Sequence, residues 1–164
     1  MIKITKFLII FFTISFFNSI FVYAAGTSSA GGENKYGKEG LYKEGKKLVI
    51  RAKKLEKKNK SEKAEKLYIK AYNKFEKAYS KDKKNPDILN YLGFTLRKTG
   101  NLEKAEIFYL KGLELDAGHL GINEYLGELY VQTNRIDLAK ERLEVLNGCD
   151  CEEYKDLKKL IENN

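Results

Sequence analysis

The chain has 164 residues, one proline, two cysteines, one histidine and a formal net charge of +8. That length holds one domain, and helical spacing in nearly every segment past residue 40 places the folded part in the all-α class. The charge is lopsided: residues 41–85 hold 17 Lys/Arg against 6 Asp/Glu, whereas residues 86–164 hold 10 against 15. A basic half suits nucleic acid or an anionic membrane, but its only arginine is Arg51. Base-edge readout leans on bidentate arginine, which, with the export signal described next, excludes nucleic acid.

The start, MIKITKFLIIFFTISFFNSIFVYAAG, reads as a signal peptide over residues 1–25. Lys3 and Lys6 form a positive flank, an apolar run extends from Phe7 to Val22, and VYAA offers small residues for cleavage near Ala24 or Ala25. The competing reading is an uncleaved anchor, because no charge falls between Lys6 and Glu33. Thr13, Ser15, Asn18 and Ser19 dilute the run and favour cleavage. Either way the remainder is exported, and a periplasmic or secreted location is expected. Residues 26–40 form a Gly/Ser-rich leader with too little apolar surface to offset its ordering entropy.

Residues 41–164 are the expected folded domain. A helix over residues 61–82 places Ala64, Tyr68, Ala71, Phe75 and Ala78 on one stripe. Lys63, Lys66, Lys70, Lys74, Lys77 and Lys81 share the opposite broad face. That lysine face reads as solvated, with weak contact to an anionic surface left open. Asn85-Pro86-Asp87 supplies an N-cap, a proline at the first helical position and an acidic first turn, which sets a boundary at residue 85.

An internal repeat organises the rest. YLGFTLRKTGNLEKA (91–105) returns 34 residues later as YLGELYVQTNRIDLA (125–139), with Gly100 matched by the turn residue Asn134. A fixed period of this size marks stacked helical hairpins. Upstream, Ala52, Asn59 and Ala64 align with Gly93, Gly100 and Ala105 at a constant offset of 41. The seven extra residues lengthen the second helix of that hairpin by two turns and keep its buried stripe in phase. Tyr154, Leu157, Leu160 and Ile161 follow a helical stripe that closes the last apolar face. The expectation is seven helices: hairpins over 41–85, 86–119 and 120–148, then a capping helix over 150–164.

These residues resemble the tetratricopeptide repeat, whose pattern pairs Leu-Gly-x-x-Tyr on one helix with Ala-x-x-x-Phe on the next. The signature falls on Leu92, Gly93, Leu96, Ala105 and Tyr109, and again on Leu126, Gly127, Tyr130, Ala139 and Leu143. The Trp and closing Pro of the pattern are replaced by Leu89 or Asn123 and by Ala117. The resemblance implies a right-handed α-solenoid of about three such hairpins whose inner helices line a concave groove for a protein or peptide. Its groove-facing positions fall on Asn90, Tyr91, Phe94, Arg97 and Lys98, and on Glu124, Tyr125, Glu128 and Gln132. Helical phase exposes Phe94, which beside Tyr91 and Tyr125 makes an apolar, aromatic anchor; Phe94→Glu is then expected to abolish capture and spare helicity. The alternative is that both tyrosines pack between hairpins. The Lys/Asn arrangement that clamps a C-terminal carboxylate in this family is missing, with Ile50, Tyr91 and Tyr125 at one of its key positions. Over most of the chain, the Gly/Ser leader, LGFTLRKTGNLEKA, GHLGINEYLGELY and the GC…EEYKDLKKLI end are similar to exported bacterial tetratricopeptide-repeat proteins of unassigned function.

Little points to catalysis. His119 sits in the loop DAGHLG without a nucleophile beside it, and reads as a surface residue. No phosphate-cradling Gly loop occurs. No cofactor and no metal are expected, and the leading reading is a non-catalytic interaction scaffold, with self-association left open. Cys149 and Cys151 keep a different class of function open. In an exported chain a disulfide that fixes the turn is the default; thiol-redox chemistry, metal handling, and free or intermolecular thiols are the alternatives.

Overall fold

A computed structural model describes residues 37–164; the expected signal peptide and residues 26–36 of the expected leader lie outside the described residues. Among the described residues seven helices follow one another: α1 (Lys38–Glu56), α2 (Ser61–Lys81), α3 (Pro86–Lys98), α4 (Leu102–Leu115), α5 (Leu120–Gln132), α6 (Ile136–Val145) and α7 (Glu152–Glu162). They pack as three antiparallel hairpins, α1/α2, α3/α4 and α5/α6, each resting on the next, with α7 laid against α5 and α6. This is the expected all-α solenoid with its cap.

The hairpin turns repeat the same chemistry. Asn59, Gly100 and Asn134 adopt positive φ (56°, 85° and 58°). Glycine and asparagine tolerate that left-handed conformation, in which the chain reverses. One residue later, the amides of Lys60, Asn101 and Arg135 donate to the carbonyls of Leu55, Leu96 and Tyr130, at 3.0, 2.9 and 2.7 Å. These bonds satisfy carbonyls that a helix end leaves without a partner. At the head of α3, the Asn85 side chain accepts from the Ile88 amide at 3.2 Å and Pro86 occupies the first turn.

Close helix crossings explain the signature glycine. A Cβ on Gly93 would stand 2.5 Å from Cε1 of Tyr109, which is fully buried. Tyr109 of α4 therefore lies flat in a groove that only glycine leaves open on α3. In the first hairpin Gly45 relates to Phe75 in the same way, at 2.6 Å. Gly45 lies seven residues before Ala52 and Phe75 seven after Tyr68, so both helices of that hairpin are extended, and not α2 alone. They run to 19 and 21 residues, against 13 and 14 in the second hairpin.

That extension corrects the leader boundary. α1 begins at Lys38, within the span expected to be leader, because the added turns of α2 offer it a surface: Leu41 is buried, and Lys38 pairs with Asp82 at 2.8 Å. The α2 stripe from Ala64 to Ala78 is buried as expected. The lysine face opposite is exposed except for Lys74, which reaches Glu44 of α1 at 2.6 Å.

The cap differs in detail from its expected stripe. Leu157 is fully buried and Tyr154 and Ile161 are half-buried, but Leu160 is left 39% exposed. A Cβ on Gly127 would meet Leu157 of α7 at 2.5 Å. The glycine crossing of the third hairpin is thus filled by the cap, and Leu143, at the position matching Tyr109, is only half-buried.

Candidate functional site

The inner row of helices α1, α3 and α5, closed at one end by α7, forms two adjoining hollows. The larger, about 440 Å³, is lined among others by Tyr42, Lys46, Asp87, Asn90, Tyr91, His119, Glu124, Tyr125 and Glu153. The smaller, about 270 Å³, is lined by Lys53, Glu56, Phe94, Arg97, Lys98, Glu124, Tyr125, Glu128 and Asp156 among others. Glu124 and Tyr125 border both, so they mark the middle of one continuous groove.

Its floor is a run of aromatic rings. Tyr42 meets Tyr91 edge-on at 5.6 Å, Phe75 stacks on Tyr91 at 5.0 Å, and Phe94 lies 4.9 Å from Tyr125 and 5.8 Å from Tyr68. Offset and edge-to-face pairs at these distances add to the stabilisation from burial alone. Tyr91 and Tyr125 are half-buried between adjacent hairpins, which matches the packing alternative for them.

Phe94 corrects the expectation of an exposed anchor: it is 2% exposed. Phase on a single hairpin missed it because α3 is flanked on both sides, and nearly every residue from Ile88 to Leu96 is buried. Cations cover the rings as well. Lys53 lies 4.8 Å over Phe94 and 5.5 Å over Tyr125, Arg97 sits over the same two rings, and Lys46 lies over Tyr42 and Tyr91. The surface over these rings is therefore charged and not an apolar patch. Phe94→Glu would place a carboxylate in the core and test folding instead of capture.

Other groove candidates hold the helices together. Arg97 of α3 pairs with Glu128 of α5 in a mostly buried contact. Lys98 bridges to Glu56 of α1 at 2.7 Å. Gln132 is exposed at the end of α5 and lines neither hollow. Asn90 and Glu124 remain, at 5% and 8% exposure. The Asn90 side-chain oxygen is buried without a hydrogen-bond partner. Burial pushes the Glu124 carboxyl up to about 8, and the nearby Glu128, Glu153 and Asp156 reinforce that shift against the opposing Lys53.

His119 is a capping residue and not a plain surface one. Its Nδ1 accepts from the Ile122 amide at 3.2 Å at the head of α5, and its Nε2 faces Asp87 at 3.5 Å. Acceptance at Nδ1 leaves the proton of the neutral ring on Nε2. Buried Asn123, at the family's Trp position, donates to the Ala117 and His119 carbonyls at 3.0 and 3.1 Å and fixes the loop before α5. The sulfurs of Cys149 and Cys151 are bonded to each other, and Cys151 opens α7.

Sequence reasoning missed Tyr42, Lys46 and Lys53 of α1 and Glu153 and Asp156 of α7. The α1 set was within reach, since its four- and seven-residue spacing puts one stripe on a helix. Nothing local marks the α7 pair, which reaches the groove only through docking of the cap.

The tetratricopeptide-repeat family model matches residues 74–107, a span of one 34-residue period through α3. The chain carries a tetratricopeptide repeat. The type III secretion translocator chaperone SycD of Yersinia enterocolitica has a similar fold, with a TM-score of 0.57 at 17% identity over 80% of this chain and 94% of that one. SycD in complex with a peptide of the translocator YopD gives 0.51 at 18%, over 72% and 86%. The tetratricopeptide-repeat domain of Arabidopsis OM64 gives 0.53 at 13%, over 76% and 98%. The search of curated proteins found no match. Among the described residues no group of three or more His, Cys, Asp or Glu is poised to hold a metal ion, and no helix is long and apolar enough to cross a membrane.

Proposed function

We propose that this tetratricopeptide-repeat chain is an exported, non-catalytic scaffold that holds a segment of a partner protein in its concave groove. The observation that carries this reading is the groove itself: two hollows share Glu124 and Tyr125, run across three inner helices and end against the cap. A continuous channel of that shape suits an extended or helical segment better than a small molecule. SycD, which shares the fold, was solved with a peptide of YopD, which supports the same use here. Export rests on the charged flank, apolar run and small-residue site at the N-terminus, and a bonded cysteine pair suits an oxidising compartment.

Site-specific photo-crosslinking in the native envelope tests the reading. Probes at Lys53 and Asp87, both exposed and beside the groove, are expected to capture a partner. Probes at Ile69 and Ile107, exposed on the outer helices, are expected to remain empty. Capture from the outer positions alone would overturn the groove assignment.

A further inference from the structure

The larger hollow is acidic where the chain as a whole is basic. Asp87, Asp116, Glu124 and Glu153 line the larger hollow against a single lysine, Lys46. The Lys46 ammonium is already placed over the Tyr42 and Tyr91 rings. Two acceptors in the same hollow lack donors. The Asn90 side-chain oxygen is buried without a partner, and its amide nitrogen is held against α5, where a Cβ on Gly121 would come within 2.8 Å of it. Glu124, more than nine-tenths buried, forms no ion pair or hydrogen bond among the described residues. A buried acceptor such as the Asn90 oxygen is costly unless something donates to it.

We infer that the Asn90–Glu124 pocket receives a basic side chain, lysine or arginine, from a segment of the partner polypeptide. The assignment rests on the scaffold reading above and names the chemistry of its ligand. An ammonium or guanidinium donates to several acceptors at once, and the Tyr91 and Tyr125 rings beside the pocket offer faces that attract a cation. A polypeptide fits better than a free amine, because the hollow continues past Glu124 and Tyr125 into the second one and accommodates residues on either side of the basic one.

A proton accompanies the docking. In the free protein the Glu124 carboxyl titrates at about 8, so it is largely protonated at neutral pH. The charged groups that act on it are Glu128 on its own helix, Glu153 and Asp156 on α7 and Lys53 on α1; Lys46 on α1, Asp87 on α3 and Asp116 in the loop before α5 line the same hollow, and on α3 Arg97 is engaged by Glu128. An added cation lowers that pKa, so binding at neutral pH releases a proton and affinity rises as pH approaches 8.

The test uses the full chain at physiological ionic strength, where its overall positive charge is screened beyond a Debye length of ~8 Å. The probe is a capped, labelled peptide of repeating Ser-Arg-Leu, compared with the same peptide carrying citrulline or glutamate in place of arginine. The arginine peptide is expected to bind about tenfold or more tightly than either. Glu124→Gln is expected to weaken it about tenfold and abolish proton release, measured by calorimetry in buffers of different ionisation heat. Glu153→Lys, a change at the rim that leaves the core untouched, is expected to weaken it too. Equal binding of all three peptides, insensitive to Glu124→Gln and Glu153→Lys, would overturn this inference and leave the scaffold reading standing. Failure of every peptide to bind, with empty crosslinks at Lys53 and Asp87, would overturn both. Competition by spermidine at the concentrations at which the peptide binds would assign the pocket to a free polyamine and overturn the polypeptide assignment.

Discussion

Gly93→Ala tests whether the crossing of α3 and α4 is as tight as the structure shows. By helix propensity alone the change should stabilise α3 by about 1 kcal/mol, because alanine loses less backbone freedom than glycine. Sterics oppose it. The new Cβ would lie 2.5, 2.7 and 2.8 Å from three carbons of the Tyr109 ring, about 1 Å inside ordinary contact. Tyr109 is fully buried and has no open side to swing towards, so α3 and α4 must part or the ring must leave its rotamer. Overpacking of this kind costs about 1–3 kcal/mol before the propensity gain is deducted. The expected net effect is a loss of ~1–2 kcal/mol, read as a lower urea midpoint at unchanged slope. The double-mutant cycle with Tyr109→Leu isolates the contact: in the leucine background Gly93→Ala should be neutral or stabilising, for a coupling of about 1–2 kcal/mol. A Gly93→Ala protein with a midpoint at or above that of the parent would refute the argument, since propensity would then be acting unopposed.

Three further outcomes follow from the groove and the cap. Glu124 has a folded-state pKa of about 8, above the usual range for an unfolded glutamate. Its ionisation therefore costs stability as pH rises from about 4.5 to about 8. Glu124→Gln should match the parent at pH 5 and grow more stable by up to ~1 kcal/mol per pH unit towards pH 8; a gap between the two proteins that does not change with pH would refute the shift. Replacing both Cys149 and Cys151 by serine should lower stability by less than ~2 kcal/mol, because the loop they close is so short. Mass spectrometry and thiol titration of protein taken from its own compartment should find no free thiol, whereas a readily reduced, oxidising pair would favour the redox alternative.

The helical class, the hairpin turns and the repeat were legible in the sequence because each depends on local chemistry. A positive-φ turn needs glycine or asparagine wherever it occurs, so Asn59, Gly100 and Asn134 announce three reversals. The Ala64–Ala78 stripe shows its buried face by spacing alone, and Asn85-Pro86 marks a helix start that any environment would honour. The Leu-Gly and Ala signatures are legible for the same reason: a close crossing admits only glycine or a side chain as small as alanine, whatever lies further away.

What depends on the neighbouring hairpin had to come from tertiary structure. Phe94 reads as exposed on its own helix and is buried, because Tyr68 from the hairpin before and Tyr125 from the hairpin after close over it. Arg97 and Lys98 read as ligand contacts, yet each finds a carboxylate on an adjacent helix, Glu128 or Glu56, at distances that no linear pattern encodes. Leu157 occupies the glycine crossing of the third hairpin, although it belongs to the cap and lies thirty residues further along the chain. Glu124 is an ordinary charged residue in the sequence. The packing of α1, α3 and α7 around it removes water and gathers other carboxylates near it, and that desolvation raises its pKa. Sequence alone determined which segments are helices and which of their faces must be covered. Tertiary structure decided what covers them and which polar groups are left facing the groove without a partner, because burial and charge at a site are sums over neighbours distant along the chain.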